Sequence, residues 1–342
     1  MLKVIILISF ICVFNLSCST DFNVTAPWKD ITIVYGLLDA SDTAQYVKVN
    51  KAFLDPTTSA LTIAQNPDSL YYADLNVSLE EYQNGNLINT LQLIKVDGNS
   101  EGYSKDPGIF SNALNYLYKT TQTLNQNSQY KIIIGNENSS KVVSSITEVI
   151  NDFRVIRPSV GQPVSLLPGF AFIVDWQSAE NGKNYGLTIR FHYTEAQVSN
   201  PDAKQDKFID WIIFTNEVEQ TTEGGHEITR TIQSNDFYAK LLNAIPFDGN
   251  VIREAGKLDF FFSVGGEELY TFNQVTQAQQ GLTSGQIEPQ YTNIDNGLGL
   301  FSSRFNKAVY GIQIENKTLD SLACGSQTHT LHFKNSAGLT CF

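Results

Sequence analysis

Positive charge is scarce in this chain. Only 23 lysines and arginines stand against 35 aspartates and glutamates, a formal net charge of −12. Nucleic-acid binding needs a basic face to neutralise phosphates, so this balance argues against nucleic acid as a partner. Long apolar runs are also missing. After Phe14 no stretch approaches the about 20 residues a membrane-spanning helix needs, so membrane contact is expected only through the N-terminal end. No GxSxG elbow, Walker loop or EF-hand loop occurs. Methionine is nearly absent, whereas 15 Tyr and 21 Phe accompany frequent Asn, Ser and Thr. That composition suits β-structure joined by polar turns.

The first eighteen residues organise the rest. Lys3 supplies a positive start and Val4 to Phe14 is apolar except for Ser9, too short to cross a bilayer but the right length for a signal-peptide core. Asn15-Leu16-Ser17-Cys18 then sets a small residue directly before a cysteine. This resembles the loose lipobox of Bacteroidota-type lipoproteins, in which the Cys18 thiol carries diacylglycerol and becomes the new N-terminus. The competing reading is a plain secretory signal with an incidental cysteine. Residues 1–17 are read as a lipoprotein signal peptide and 18–27 as a polar tether. Two or three acyl chains, at about 0.8 kcal/mol per buried CH₂, hold a protein firmly on a bilayer.

The mature chain is longer than one core usually serves, so two domains are expected. Residues 28–152 carry short strand signals: Ile31 to Leu38, the alternating Gln45 to Phe53, Val77 to Tyr82, Leu87 to Ile94, Leu114 to Thr120, Tyr130 to Ile134 and Lys141 to Val149. Asn84-Gly85 between the third and fourth is the strongest short hairpin signal, and Asp97 to Ser111 reads as a long loop. The spacing fits an immunoglobulin-like β-sandwich.

Phe153 to Pro168 holds three of the ten prolines and reads as a linker. Residues 153–342 then form a second β module with short helical insertions. Phe170 to Trp176, a Gly-containing turn and Tyr185 to Tyr193 resemble the opening of a fibronectin III-like module. In the last of these, Leu187, Ile189, Phe191 and Tyr193 share one face, with Thr188, Arg190 and His192 on the other. Phe208 to Thr215 and Glu227 to Ile232 are expected to extend this sheet. Ser234 to Ile245 and Glu267 to Gln280 read as helices around the central strand Leu258 to Val264. The fold class expected is therefore mainly β, with two sandwich modules.

Asn293 to Phe301 (NIDNGLGLF) resembles the SNI-x-NGLG-x-F signature of a Bacteroidota outer-membrane lipoprotein family of unknown function. Trp176 with Tyr185 to Glu195, and the lipobox, are similar to that family as well. The resemblance implies an outer-membrane lipoprotein, often encoded near TonB-dependent transporters. It implies no reaction and supplies no catalytic residue. Asn296, Gly297, Gly299 and Phe301 are read as a structural turn signature, with positive φ at a glycine.

Cys12 leaves with the leader and Cys18 is lipidated, which leaves Cys324 and Cys341. In an exported protein these read as a disulfide closing a C-terminal hairpin; the alternative is a Cys₂His₂ zinc site with His329 and His332. His226-Glu227-Ile228-Thr229-Arg230 fails at the last position of an HExxH zinc motif and reads as a strand start. Glu80-Glu81 and Glu267-Glu268 are adjacent pairs, not the facing carboxylates of a glycosidase. Asp42-Thr43-Ala44, Asp68-Ser69-Leu70 and Asp320-Ser321-Leu322 resemble a short bacterial O-glycosylation motif. Neither cofactor nor metal is expected. The leading expectation is a non-enzymatic, lipid-anchored envelope protein that binds a protein partner, accessory to a TonB-dependent transporter. A surface glycan-binding lipoprotein is the alternative, and an unrecognised hydrolase the third reading.

Overall fold

The computed structural model describes residues 31–52, 58–136, 139–279 and 291–341. The leader, Cys18 and the tether lie outside them. The described chain is mainly β, with one large mixed sheet, one small sheet and a few short helices.

In chain order the first elements are β1 (Thr32–Leu38), β2 (Gln45–Lys51), the short helices α1 (Ala60–Ala64) and α2 (Pro67–Leu70), β3 (Asn76–Gln83), β4 (Asn86–Asp97), β5 (Tyr116–Thr120), β6 (Gln129–Asn136) and β7 (Ser139–Glu148). Alternation decides their faces. Val47 and Val49 point inward while Tyr46, Lys48 and Asn50 are half-exposed. The β3–β4 hairpin turns at Asn84 and Gly85, with φ of 49° and 77°. This is the double left-handed pair that matches strand twist and that Asn-Gly tolerates. The sheet curls until the backbone of Ser144 in β7 pairs with Asp295, enclosing a core that includes Val34, Leu79, Ile132 and Val143.

The second set is β8 (Val155–Arg157), β9 (Ala171–Gln177), β10 (Asn184–Gln197), β11 (Asn200–Val218), β12 (Glu227–Gln233), α3 (Ser234–Ala244), β13 (Val251–Gly265), α4 (Glu267–Gln279), β14 (Gly297–Ile312) and α5 (Asn316–Cys324). Here β12-β9-β8 forms the small sheet, and β11-β10-β13-β14 is one end of the large one. A three-on-four sandwich results, the fibronectin III-like arrangement. Trp176 from β9, fully buried, packs on Tyr185 and Phe262 from the facing sheet. The Tyr185 hydroxyl accepts a hydrogen bond from the Ala179 amide at 2.7 Å, pinning the intervening turn, and burial pushes its pKa up to about 12.

Four expectations need correcting. Strand β12 pairs with β9 in the small sheet and does not extend the sheet of β11. The proline-bearing stretch is no free linker: it supplies β8, and Phe153 and Leu166 are buried in the second core. The end of the chain is a hairpin only over its last turn, where Lys334 pairs antiparallel with Thr340. Helix α5 and a 3₁₀ turn at His329–Leu331 precede Cys341, because Leu322, Ala323 and Leu331 bury against the second core. Residues 291–303, which the sequence assigns to the second module, fill the first, where Ile294 and Phe301 join its core.

That last correction follows from β14. Its first half pairs parallel with β1, from Thr32↔Gly297 to Leu38↔Ser303. Its second half pairs antiparallel with β13, from Gly265↔Arg304 to Leu258↔Ile312. Phe301 enters the first core and Phe305 the second. One strand thus completes both modules.

Candidate functional site

Because β10, β11, β13 and β14 bury one face in the second core, their other face is outward. Alternation puts Thr188, Arg190 and His192 of β10, Phe208, Asp210 and Ile212 of β11, Phe261 of β13 and Tyr310 of β14 there. Phe208, Ile212 and Tyr310 are 55%, 61% and 64% exposed, an apolar load unusual on a sheet facing water. Arg190 organises it. Its Nε and Nη2 donate to the two Asp210 carboxylate oxygens at 2.7 and 2.9 Å. This fork holds the guanidinium plane over the Phe208 ring (4.0 Å to the centroid) and near Phe261 (5.2 Å). The same bonds keep Arg190 charged and hold Asp210 below the usual carboxylate range. Beside it His192 Nε2 lies 2.7 Å from Asp259 Oδ2, and Asp259 Oδ1 accepts the Gly311 amide at 2.7 Å. Phe261 and Tyr310 meet edge to face.

A second feature sits on the outer face of the first module. The floor is β1 and β14, with Tyr35, Leu37 and Leu300; α4 forms one wall through Leu269 and Phe272, and the 98–115 loop forms the other through Tyr103. The open groove between them has a volume of about 380 Å³, within the range of small-molecule sites. Tyr103 rests on Tyr46 with ring centroids 4.8 Å apart, and Tyr35 meets Phe272 edge to face at 6.3 Å. The loop is held by the Lys105 ammonium, which donates to the Ser111 and Leu114 carbonyls, and by Glu101, which accepts from Tyr46 Oη (2.8 Å) and Lys119 Nζ (2.5 Å). Lys119 and Tyr46 hold the Glu101 carboxyl low; burial, aided by Glu101, raises the Tyr46 phenol. At the mouth Arg304 Nη2 donates to Asp42 Oδ2 at 3.1 Å and its Nε lies 3.5 Å from the buried Asp39 carboxylate. Asn306 Nδ2 also donates to Asp39, at 3.1 Å.

The residues singled out in the sequence fall elsewhere. Cys18 lies outside the described residues. Cys324, at the end of α5, is disulfide-bonded to Cys341 with Cα atoms 5.1 Å apart. Asn296 turns the chain with φ 58°, while Gly297 and Gly299 lie inside β14, so the signature shapes a strand as well as a turn. His226 precedes β12, and His329 and His332 lie in and just after the 3₁₀ turn. Glu81 is buried and accepts from Ser128 Oγ, whereas Glu268, in the first turn of α4, accepts from Ser302 Oγ. Among the described residues no three His, Cys, Asp or Glu side chains are grouped to hold a metal ion. Of the three glycosylation-like hydroxyls, Thr43 is exposed, while Ser69 and Ser321 are half-buried.

Sequence reasoning missed both surfaces. Alternation through Arg190 and His192 signals a polar outer face, but the ring neighbours come from β11, β13 and β14. The loop was visible as a loop, yet its meeting with β1 and α4 depends on the β1–β14 pairing.

A protein-family model described as a domain of unknown function (DUF4249) matches residues 21–305, well over half of the 342-residue chain. No curated protein matches the chain.

Proposed function

The chain belongs to the family described as a domain of unknown function (DUF4249), and on that premise we propose that it is a non-enzymatic lipoprotein of the bacterial envelope. It is anchored to the outer membrane through Cys18, of Bacteroidota type, and binds a protein partner. The partner most consistent with the NGLG-type resemblance is a TonB-dependent transporter, to which the protein is an accessory.

One observation carries the reading: the outward Phe208–Arg190–Phe261–Tyr310 array. Aromatic side chains and arginine are what protein interfaces concentrate at their energetic centres. Here the arginine is already oriented by Asp210, so little side-chain entropy remains to be lost on docking. The four strands beneath fix the array on a rigid support. A surface glycan-binding lipoprotein is the second reading, and the aromatic groove on the first module favours it.

The test is capture of the tagged, acylated protein from detergent-solubilised outer membranes. Enrichment of an outer-membrane β-barrel, lost on Phe208→Ser or Arg190→Ala, is expected. Recovery of no β-barrel, or equal recovery by both variants, overturns the reading.

A further inference from the structure

We propose that the groove between Tyr35, Tyr103 and Phe272 is a binding site for an uncharged sugar ring of an oligosaccharide. It lies on the first module, away from the Arg190 face, so it stands or falls independently of the partner-binding reading.

Four observations lead there. First, the groove is walled by rings. Tyr35 and Tyr103 are each nearly half exposed, so part of each ring is open to a ligand while the rest packs on Phe272 and Tyr46. A pyranose has an apolar C–H face that suits such a wall. Second, the cations beside the groove are already paired. Arg304 is shared by Asp39 and Asp42, and Lys119 pairs with Glu101, so one negative charge is in surplus. Among the described residues no unpaired cation lines the groove to hold an anionic ligand, and burying such a ligand unpaired is unfavourable. Electrostatic complementarity therefore rejects an anion, and because Asp39 already accepts from the Ser41 amide and Asn306 Nδ2, a neutral occupant is favoured. Third, the mouth is nevertheless polar. Asp42 and Arg304 side chains are 46% and 44% exposed, and together they offer acceptor and donor positions of the kind vicinal hydroxyls satisfy. A purely apolar ligand, such as an acyl chain, would strip water from that pair and replace none of its hydrogen bonds to solvent. Fourth, the groove is preformed. Lys105, Glu101 and the Gly98–Asn115 backbone bond (2.6 Å) hold the Tyr103 loop in place, so ligand binding need not order it.

The experiment is ligand-observed saturation-transfer NMR on the full mature protein, using cellopentaose, xylopentaose, mannopentaose and maltopentaose as neutral probes. Decanoate and a sialylated trisaccharide serve as the apolar and anionic comparisons. At least one neutral pentasaccharide is expected to receive transfer, strongest at its ring C–H protons. Tyr103→Ala should weaken that binding at least ten-fold while the protein keeps a cooperative thermal transition, since Tyr103 is on a loop and gives up only its contact with Tyr46; Tyr35→Ala, in β1, should weaken binding as much with a larger loss of midpoint. Transfer to none of the four neutral probes overturns the proposal, as does transfer that survives Tyr103→Ala. Preferential transfer to decanoate or to the sialylated sugar overturns it as well.

Discussion

Gly299 lies directly opposite Val34 in the parallel β1–β14 pair, and a Cβ at residue 299 would collide with the Val34 carbonyl oxygen. Its φ of +118° is one that side chains rarely adopt. Gly299→Ala therefore strains the backbone and separates β14 from β1. The expected cost is about 3 kcal/mol or more, among the larger losses for a single substitution. Gly338 is the control: its φ is +79°, but a Cβ there meets nothing within 4 Å, so Gly338→Ala should cost only about 1 kcal/mol. Urea midpoints for the two variants decide the matter; equal losses would mean the Gly299–Val34 approach is unimportant.

The sharing of β14 predicts that residues 31–152 do not fold alone. Without Ile294 and Phe301 their core lacks two of its apolar members and β1 loses a hydrogen-bonding edge. A fragment of residues 28–152 should lack a cooperative thermal transition. Adding a peptide of residues 291–303 should restore one. A fragment that melts cooperatively unaided would show that the two modules are separable.

Acid should destabilise the protein through specific carboxylates. Glu195 accepts from the Arg253 guanidinium and from Lys207, each at 2.8 Å. Burial alone would raise its pKa, but Lys207 and Arg253 together outweigh burial and hold it below the ordinary value. Glu254, Asp210 and Glu217 are held low by Lys204 with Lys334, by Arg190 and by Arg230. A carboxylate with a depressed folded pKa contributes stability above its unfolded pKa, about 4, and that contribution disappears as pH falls through the folded value. Urea midpoints should stay level from pH 7 to about pH 5 and fall steeply below about pH 4. Glu195→Gln should shrink this acid limb. It also strands Arg253, which is 1% exposed, at a cost of about 3–5 kcal/mol.

The Cys324–Cys341 bond spans 17 residues, a loop whose closure contributes about 3 kcal/mol on the chain-entropy model. Reduction should lower the thermal midpoint and expose residues 325–341 first, read by hydrogen exchange. The buried Arg253 guanidinium donates to the Leu331 carbonyl at 2.7 Å, so exchange at β13 near Arg253 should rise with it. Protection that is identical with and without reductant would assign the bond no structural role.

Lipid anchoring is tested at Cys18. On the proposed anchoring, acyl chains on Cys18 would supply the partition energy, so the Cys18→Ser protein should leave the envelope fraction. Unchanged sedimentation with membranes would remove the basis for the outer-membrane placement.

Much of the local structure was legible because short-range rules decide it. Asn84-Gly85 announces its hairpin, and Leu187, Ile189, Phe191 and Tyr193 announce an inward face that the second core indeed receives. The extent of β11 was under-read, since residues 200–206 are polar and exposed and are held by the backbone ladder to β10 and by ion pairs such as Lys204–Glu254 that no local pattern announces. Helix α5 was missed for a related reason: no side chain caps it, and the cysteine spacing suggested a hairpin. The pairing of β12 with β9, and of β14 with β1, is a long-range choice that no local period encodes. Both candidate surfaces depend on such choices. Arg190 meets Phe208 and Phe261 only once three strands are in register, and Tyr103 meets the groove only once its loop is docked.

A ladder that joins Thr32 to Gly297 sets the order of events during synthesis. The earliest strand to emerge from the ribosome finds its parallel neighbour only when most of the polypeptide has been made, at about 5–20 residues per second. Until then β1 can pair only with β2, and closing the first core over Ile294 and Phe301 is left to a late step of high sequence separation.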